Sequence, residues 1–135
     1  MKMRSLLFIL LGALHLLSGC VAAGKAVELH SLHDLTESEK HQIKDDLLVA
    51  LKVQDALFST VRAAVSASRE MTVCGWIRVK SDFPDYPRYP DNRPFVVTYT
   101  YDVERLRSFR LVYFAKTKDE VTPLYVRCSE LGIPL

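Results

Sequence analysis

The sequence predicts an α+β domain, in which an N-terminal helix packs on an antiparallel sheet of about four strands and a short C-terminal helix follows. An apolar repeat of every four residues opens the domain, and alternating apolar and polar residues fill its centre. Residues typical of helix boundaries recur near the C-terminus. We therefore expect one domain over residues 36–135, and the chain contains no internal repeat.

The N-terminal helix is predicted by its cap and by its apolar stripe. Thr36 and Glu39 have the spacing of a capping box, in which two side chains satisfy backbone N–H groups at the start of a helix. Ile43, Leu47 and Leu51 then recur on one face. We expect a helix over about 37–51 that covers one face of the sheet.

Four runs of alternating residues predict the strands. The first begins at Phe58 and the second runs over 71–80, with a short turn at 68–70 that makes the two an antiparallel hairpin. The third and fourth runs cover 95–103 and 109–115, and the charged residues 104–107 connect them. In the fourth run, Tyr113 falls on the face of Leu111, and Phe114 falls on the face of Val112, so both faces of this strand have candidates for burial.

The C-terminal segment has the boundary signals of a short helix. Thr122 is a fair N-cap, Pro123 suits the first helical position, and Gly132 suits the left-handed conformation that ends a helix. Cys128 shares one helix face with Leu124 and Leu131, so its thiol should point towards the sheet.

The first 20 residues have the parts of a bacterial export signal. A charged start precedes an apolar run, Leu6 to Leu17, that is too short for a comfortable transmembrane helix. The segment closes on Leu17-Ser18-Gly19-Cys20, which resembles a lipobox, where cleavage precedes an acylated cysteine. We predict a signal peptide over 1–19, acylation of Cys20 and a flexible tether over 20–35. The alternative is an ordinary signal peptide with a chance cysteine.

The predicted location is the periplasmic face of the bacterial outer membrane, with the lipid on Cys20 as the membrane anchor. Val21 stands where an aspartate commonly signals retention in the inner membrane. Cleavage removes Lys2 and Arg4, which leaves 16 of the 18 basic residues against 16 acidic ones. This balance argues against a nucleic-acid partner.

The two remaining cysteines predict a disulfide. An exported chain meets an oxidising compartment, and Cys74 with Cys128 is the simplest pairing. Such a closure is worth roughly 4 kcal/mol in the loop-entropy model. The alternative is two buried free thiols.

The histidines offer only a weak metal signal. His30, His33 and His41 lie near Asp34, but the H-x-x-H spacing has no cysteine beside it and falls in the predicted tether and the first turns of the helix. We therefore expect no metal and no cofactor.

The proline-rich stretch from Ser81 to Pro94 is the best candidate contact surface. Three of its prolines are spaced by three residues, the repeat of a polyproline II helix, which lowers the ordering cost of binding. The candidate contact residues are its aromatic rings and arginines: Phe83, Tyr86, Arg88, Tyr89 and Arg93. The alternative is a stiff connection whose rings pack onto their own domain.

The residues around Cys74 carry a family resemblance. Val73-Cys74-Gly75 is followed by Ile77, Lys80, Phe83 and Tyr86. This resembles the V-C-G-x-V-x-x-K-x-x-F-x-x-Y pattern of a family of small uncharacterised proteobacterial exported proteins. The resemblance extends over about 51–132 and includes Cys128 and Gly132. It implies export, and the family brings no established activity.

The sequence predicts a non-enzymatic protein that binds another macromolecule. It contains no G-x-S-x-G, no H-E-x-x-H and no phosphate-cradling glycine loop. We expect the acidic residues of the proline-rich stretch to lie close to solvent, which gives no reason to assign them a catalytic role. The expected partner is an unknown protein of the envelope. Two alternatives are an inhibitor of a lysozyme-type enzyme and an accessory subunit of an outer-membrane assembly or secretion machine.

Overall fold

The computed structural model describes residues 28–79, 92–102 and 105–135. These residues form an α+β fold, as predicted, built on one antiparallel sheet in the order β1-β2-β3-β4-β5. The strands are β1 (His30–His33), β2 (Ala56–Ser66), β3 (Glu70–Val79), β4 (Arg93–Asp102) and β5 (Arg105–Phe114). The helices are α1 (Glu37–Leu51) and α2 (Val121–Glu130), and a 3-10 turn (Lys118–Glu120) precedes α2.

The predicted number of strands was too low, because β1 lies in the segment predicted as a flexible tether. Its four residues pair antiparallel with β2, from His30 opposite Ser66 to His33 opposite Ala63. The run contains two histidines and only one apolar residue, so it has no alternating pattern to detect. Hydrogen bonding to β2, rather than a pattern in its own residues, therefore makes this segment a strand.

Helix α1 has the predicted bounds and the predicted cap. The Thr36 backbone N–H donates to Glu39 Oε2 at 2.7 Å, and the Glu39 N–H donates to Thr36 Oγ1 at 3.2 Å. The apolar stripe of Ile43, Leu47 and Leu51 is buried on one face of the sheet. Buried sheet residues in this cluster include Met71, Val73, Ile77, Phe95, Val97 and Tyr99.

Helix α2 covers the opposite face, and the predicted disulfide is present. Cys74 on β3 is bonded to Cys128 on α2, with their Cα atoms 6.3 Å apart and both residues fully buried. Gly132 follows the helix with φ of 73°, and the Ile133 N–H returns to the Cys128 carbonyl at 2.9 Å. Together with the hydrogen bond from the Gly132 N–H to the Ser129 carbonyl, at 2.9 Å, this bond makes a Schellman motif. The motif confirms Gly132 as the residue that ends the helix.

The predicted start of α2 was wrong. The 3-10 turn continues directly into the helix, so Thr122 is its second residue and Pro123 its third. Glu120 Oε2 instead accepts hydrogen bonds from the backbone N–H groups of Lys116, at 2.6 Å, and Thr117, at 3.1 Å. Pro123 is tolerated because the first turn of a helix has no acceptor for its backbone N–H groups.

Two strand boundaries also differ from the prediction. Strand β4 begins at Arg93 and includes Pro94, whose carbonyl accepts from the Ala115 N–H at 3.1 Å. A proline is tolerated at the start of a strand, where its missing N–H removes a hydrogen bond only at the end of the ladder. Strand β5 begins at Arg105 rather than at residue 109. Only two residues therefore separate β4 from β5, whereas the sequence predicted a charged connection over residues 104–107.

A bulge in β2 explains one glycine of the sequence. Thr60 has a φ of 50° and interrupts the register between Ser59 and Val61. Gly75 lies opposite, and a Cβ there would be 2.9 Å from the Thr60 carbonyl oxygen and 2.7 Å from Phe95 Cζ. Position 75 therefore needs glycine because backbone and ring approach it closely, on the face that α1 covers.

Candidate contact surface

Different segments of the chain connect to the two ends of the sheet. At one end, residue 28 precedes β1, and the Ser68 hydroxyl in the β2–β3 turn donates to Glu28 Oε1 at 2.6 Å. At the other end, β3 finishes at Val79, opposite Ala56. Residues 80–91 thus leave and re-enter the described domain at the end opposite residue 28. Strand β3 has ten residues, so these ends are about 30 Å apart.

Arg93 is the described member of the predicted contact residues. It is half-buried in β4, and its Nη1 donates to the Lys116 carbonyl at 2.9 Å. The neighbouring Asn92 side chain donates to Ser59 Oγ at 3.2 Å. Arg93 therefore helps to hold this end of the sheet together. The other predicted site residues, Phe83, Tyr86, Arg88, Tyr89 and Cys20, lie outside the described residues.

A groove runs beside α1, and we call it the α1 groove. The helix is tied to the β4–β5 side of the sheet, where Gln42 Nε2 donates to the Leu106 carbonyl at 3.0 Å. Strand β2 is left less covered, and Phe58 and Val61 are only half-buried. Two depressions of about 520 and 460 Å³ form the groove, and both are lined by Lys40, Thr60 and Val61.

The charges along the α1 groove are mixed. Lys40 pairs with Glu37 at 2.7 Å, and Lys44 Nζ lies 6.0 Å from the centroid of the Phe58 ring. Arg62 and Asp34 border the same groove.

The candidate metal ligands are engaged in other contacts. His33 Nε2 donates to the two carboxylate oxygens of Glu39 at 3.1 and 3.2 Å, and His41 faces Asp45 at 3.5 Å. His30 Nδ1 lies 2.9 Å from the Glu28 carbonyl oxygen. Within the described ranges, no group of three potential ligands is suited to hold a metal ion.

Two electrostatic perturbations, at Glu39 and Tyr99, serve structure. Burial raises the pKa of Glu39, but hydrogen bonds from Thr36 and His33 outweigh it and hold the pKa below the ordinary 4.5. This carboxylate therefore ties β1 to the start of α1. Burial and the nearby Asp46 carboxylate raise the pKa of Tyr99, whose hydroxyl donates to Asp46 Oδ2 at 3.1 Å. Both groups join the helix to the sheet.

A second surface feature lies between β5 and α2, and sequence reasoning missed it. A bulge near Val112 shifts the register of β5, so Phe114 joins the α1 cluster and Tyr113 lies opposite Val96 on the α2 face. The result is an apolar slot of about 240 Å³, which we call the β5–α2 slot. Its lining residues are Val96, Val112, Tyr113, Pro123, Leu124 and Arg127. Alternation alone placed Tyr113 and Phe114 on the wrong faces, because the extra residue of a bulge reverses every face that follows it.

The described part of the chain contains no helix that is long and apolar enough to cross a membrane. Comparisons of the chain with protein-family models, with curated proteins and with solved structures find no match in any of the three.

Proposed function

We propose that this chain is a non-enzymatic, lipid-anchored protein of the bacterial outer membrane that binds another macromolecule from the periplasmic face. The proposed contact surface is the end of the sheet where residues 80–91 leave and re-enter the domain. It comprises Phe83, Tyr86, Arg88 and Tyr89 of the proline-rich stretch, together with the α1 groove. Arg93 supports this surface from within β4.

The observation that carries the proposal is the opposite placement of the two chain segments. Residue 28 follows the proposed anchor and lies at one end of the sheet, and residues 79 and 92 lie at the other. Residues 20–27 can span at most about 28 Å when extended, and the sheet adds about 30 Å. A lipid on Cys20 would thus leave the proline-rich stretch well away from the bilayer, where a periplasmic partner could reach it.

Two further features support export. The disulfide between Cys74 and Cys128 is the kind of bond that persists in oxidising compartments. The resemblance of the Val73-Cys74-Gly75 region to small exported proteobacterial proteins agrees with that compartment. Both observations are compatible with either proposed partner class, an enzyme to be inhibited or an envelope assembly.

Acylation is tested by metabolic labelling. Labelled palmitate should enter the wild-type chain and should be absent from Cys20→Ser. Undiminished incorporation in the variant would reject the lipid anchor. Sucrose-gradient fractionation of wild-type cells then distinguishes outer-membrane from inner-membrane sorting.

The contact surface is tested by affinity purification of the cross-linked full-length lipoprotein from its own envelope. Tyr86→Ala and Tyr89→Ala should reduce recovery of the partner and leave the melting temperature nearly unchanged. The matched control is Tyr125→Ala, because Tyr125 is 46% exposed on α2. A large fall in melting temperature would show instead that the two rings pack onto the domain. A stable variant that still recovers every partner would also reject the contact surface.

The two partner classes predict different behaviour of a fragment without its anchor. An inhibitor of a lysozyme-type enzyme should act alone in solution. An accessory subunit should have no activity alone and should co-purify with membrane proteins.

A further inference from the structure

Strand β5 combines an open edge with an excess of arginines, one of which, Arg107, has its Nη2 atom 4.0 Å from Oδ2 of Asp102 on β4. It is the last strand of the sheet, so no other strand among the described residues pairs with its outer edge. Its ten residues contain three arginines and no acidic residue. Arg105, Arg107 and Arg110 are all exposed. An edge strand of this length can accept a further strand through its backbone N–H and C=O groups.

The arginines and the β5–α2 slot lie on the same face of the sheet. The register with β4 shows this, because alternate residues of β4 lie on the α2 face. Along that face, Arg107 is opposite Thr100, Arg110 is opposite Thr98, and Tyr113 is opposite Val96. Arg110 is held there, because its Nε donates to Thr98 Oγ1 at 3.3 Å. The cationic part of β5 therefore leads directly to the apolar slot.

The slot itself is apolar. Val112 and Tyr113 remain 39% and 42% exposed, and Leu124 forms the buried floor. Arg127 of α2 also lines the slot. The slot is large enough for one or two apolar side chains, and a carboxylate beside them could reach Arg127.

We propose that β5 and the β5–α2 slot bind an extended acidic peptide segment of a partner protein. The segment adds antiparallel or parallel to β5, sets its carboxylates beside Arg107 and Arg110, and seats an apolar side chain between Tyr113 and Pro123. This inference is independent of the contact surface proposed above.

Charge determines the choice of occupant. A second copy of the chain that paired through β5 would bring the arginines of two strands together, and like charges opposite each other destabilise a sheet. An acidic segment gains attraction at the same positions. Arginines on an edge also discourage self-association, but that purpose does not require the exposed apolar slot beside them.

The probe for this site is a synthetic fluorescent ten-residue peptide that alternates glutamate with valine and carries one tyrosine near one end. Two matched peptides replace the glutamates by lysines or insert prolines at alternate positions, which removes strand N–H donors. Fluorescence anisotropy with the full-length chain in detergent should give at least tenfold tighter binding for the glutamate peptide than for either control. Its binding should weaken as salt rises. Hydrogen exchange should slow at the amides of β5 when this peptide is bound.

Variants of the chain locate the binding. Arg107→Glu with Arg110→Glu, and separately Tyr113→Ala, should each weaken binding of the glutamate peptide at least tenfold. The matched control is Arg69→Glu with Arg78→Glu, which makes the same charge change at two exposed positions of the β2–β3 hairpin and should leave binding unchanged. Melting temperatures identify any variant that fails to fold, and Arg127→Glu then provides a second test of the slot.

Several results would overturn the proposal. Equal binding of the proline peptide would show that general charge attraction, and not strand pairing, causes the binding. Equal binding of the lysine peptide would show that the arginines do not select an acidic segment. Unchanged exchange at β5 would place the peptide elsewhere. Failure of the glutamate peptide to bind at millimolar concentration would reject the site. A dimer through β5 that excludes the peptide would assign this edge to a second copy of the chain.

Discussion

Replacement of Gly75 by alanine should destabilise the fold through steric crowding at one point. The added Cβ would be 2.7 Å from Phe95 Cζ and 2.9 Å from the Thr60 carbonyl oxygen, which real Cβ contacts essentially never allow. Phe95 is fully buried, and its ring packs edge-to-face on Phe58 with centroids 6.1 Å apart. A fully buried ring in a closely packed core has little free space to retreat into.

The expected loss follows from this crowding. Overpacking of a filled core costs about 1–3 kcal/mol, and the replacement of glycine in a strand returns about 0.5–1 kcal/mol of backbone entropy. The net fall in the free energy of unfolding should be about 1–2 kcal/mol, or about 5–15 °C in melting temperature for a domain of this size. Urea unfolding with an unchanged m-value measures the first quantity, and circular dichroism measures the second.

Two further variants separate crowding from other causes. Phe95→Leu removes the ring atoms nearest to position 75, so Gly75→Ala should cost less in that background, with a coupling of about 1 kcal/mol. The control is Gly132→Ala, whose Cβ meets nothing within 4 Å but whose φ is 73°. It should cost about 1 kcal/mol through backbone strain and show no coupling to Phe95. A Gly75→Ala variant as stable as the wild type, or costs that simply add, would refute the crowding argument.

Three other perturbations have defined outcomes. Cys74→Ala with Cys128→Ala releases a closure of 54 residues and should lower the free energy of unfolding by about 4 kcal/mol in urea, whereas an unchanged midpoint would contradict that value. Because the pKa of Glu39 is lowered on folding, its stabilising contribution is complete above the ordinary 4.5 and is lost as pH falls through the lower, folded value. Glu39→Gln should therefore flatten the acid limb of a plot of melting temperature against pH, and an unaltered limb would count against this role. Tyr99→Phe should cost about 1 kcal/mol in chemical unfolding, since Asp46 loses a buried donor at 3.1 Å, and a neutral result would show that water replaces the hydroxyl.

Local patterns predicted much of the fold because their information lies within a few residues. The capping box at Thr36 and the apolar stripe on α1 determine that helix by themselves, and the structure has both. The disulfide was predicted from the number of cysteines and the expected export, and the structure joins Cys74 to Cys128. The proposed anchor at Cys20 is likewise a local motif, and it stays a prediction.

Other features depend on neighbours that are distant in sequence. Strand β1 exists because β2 offers it an edge, and its own four residues carry no strand pattern. The bulge near Val112 reverses the faces of Tyr113 and Phe114, and only pairing with β4 reveals it. The α1 groove similarly exists because α1 lies over the β4–β5 part of the sheet and leaves β2 less covered.

The sequence by itself determined the class of the fold, the bounds of α1, the disulfide pair and the glycine that ends α2. Each depends on a repeat, a cap or a count of cysteines that chain geometry converts directly into structure. Tertiary structure alone decided the fifth strand, the close approach at Gly75 and the slot beside β5. These features arise where two segments meet, and the energy that stabilises them is shared between residues that no local pattern connects.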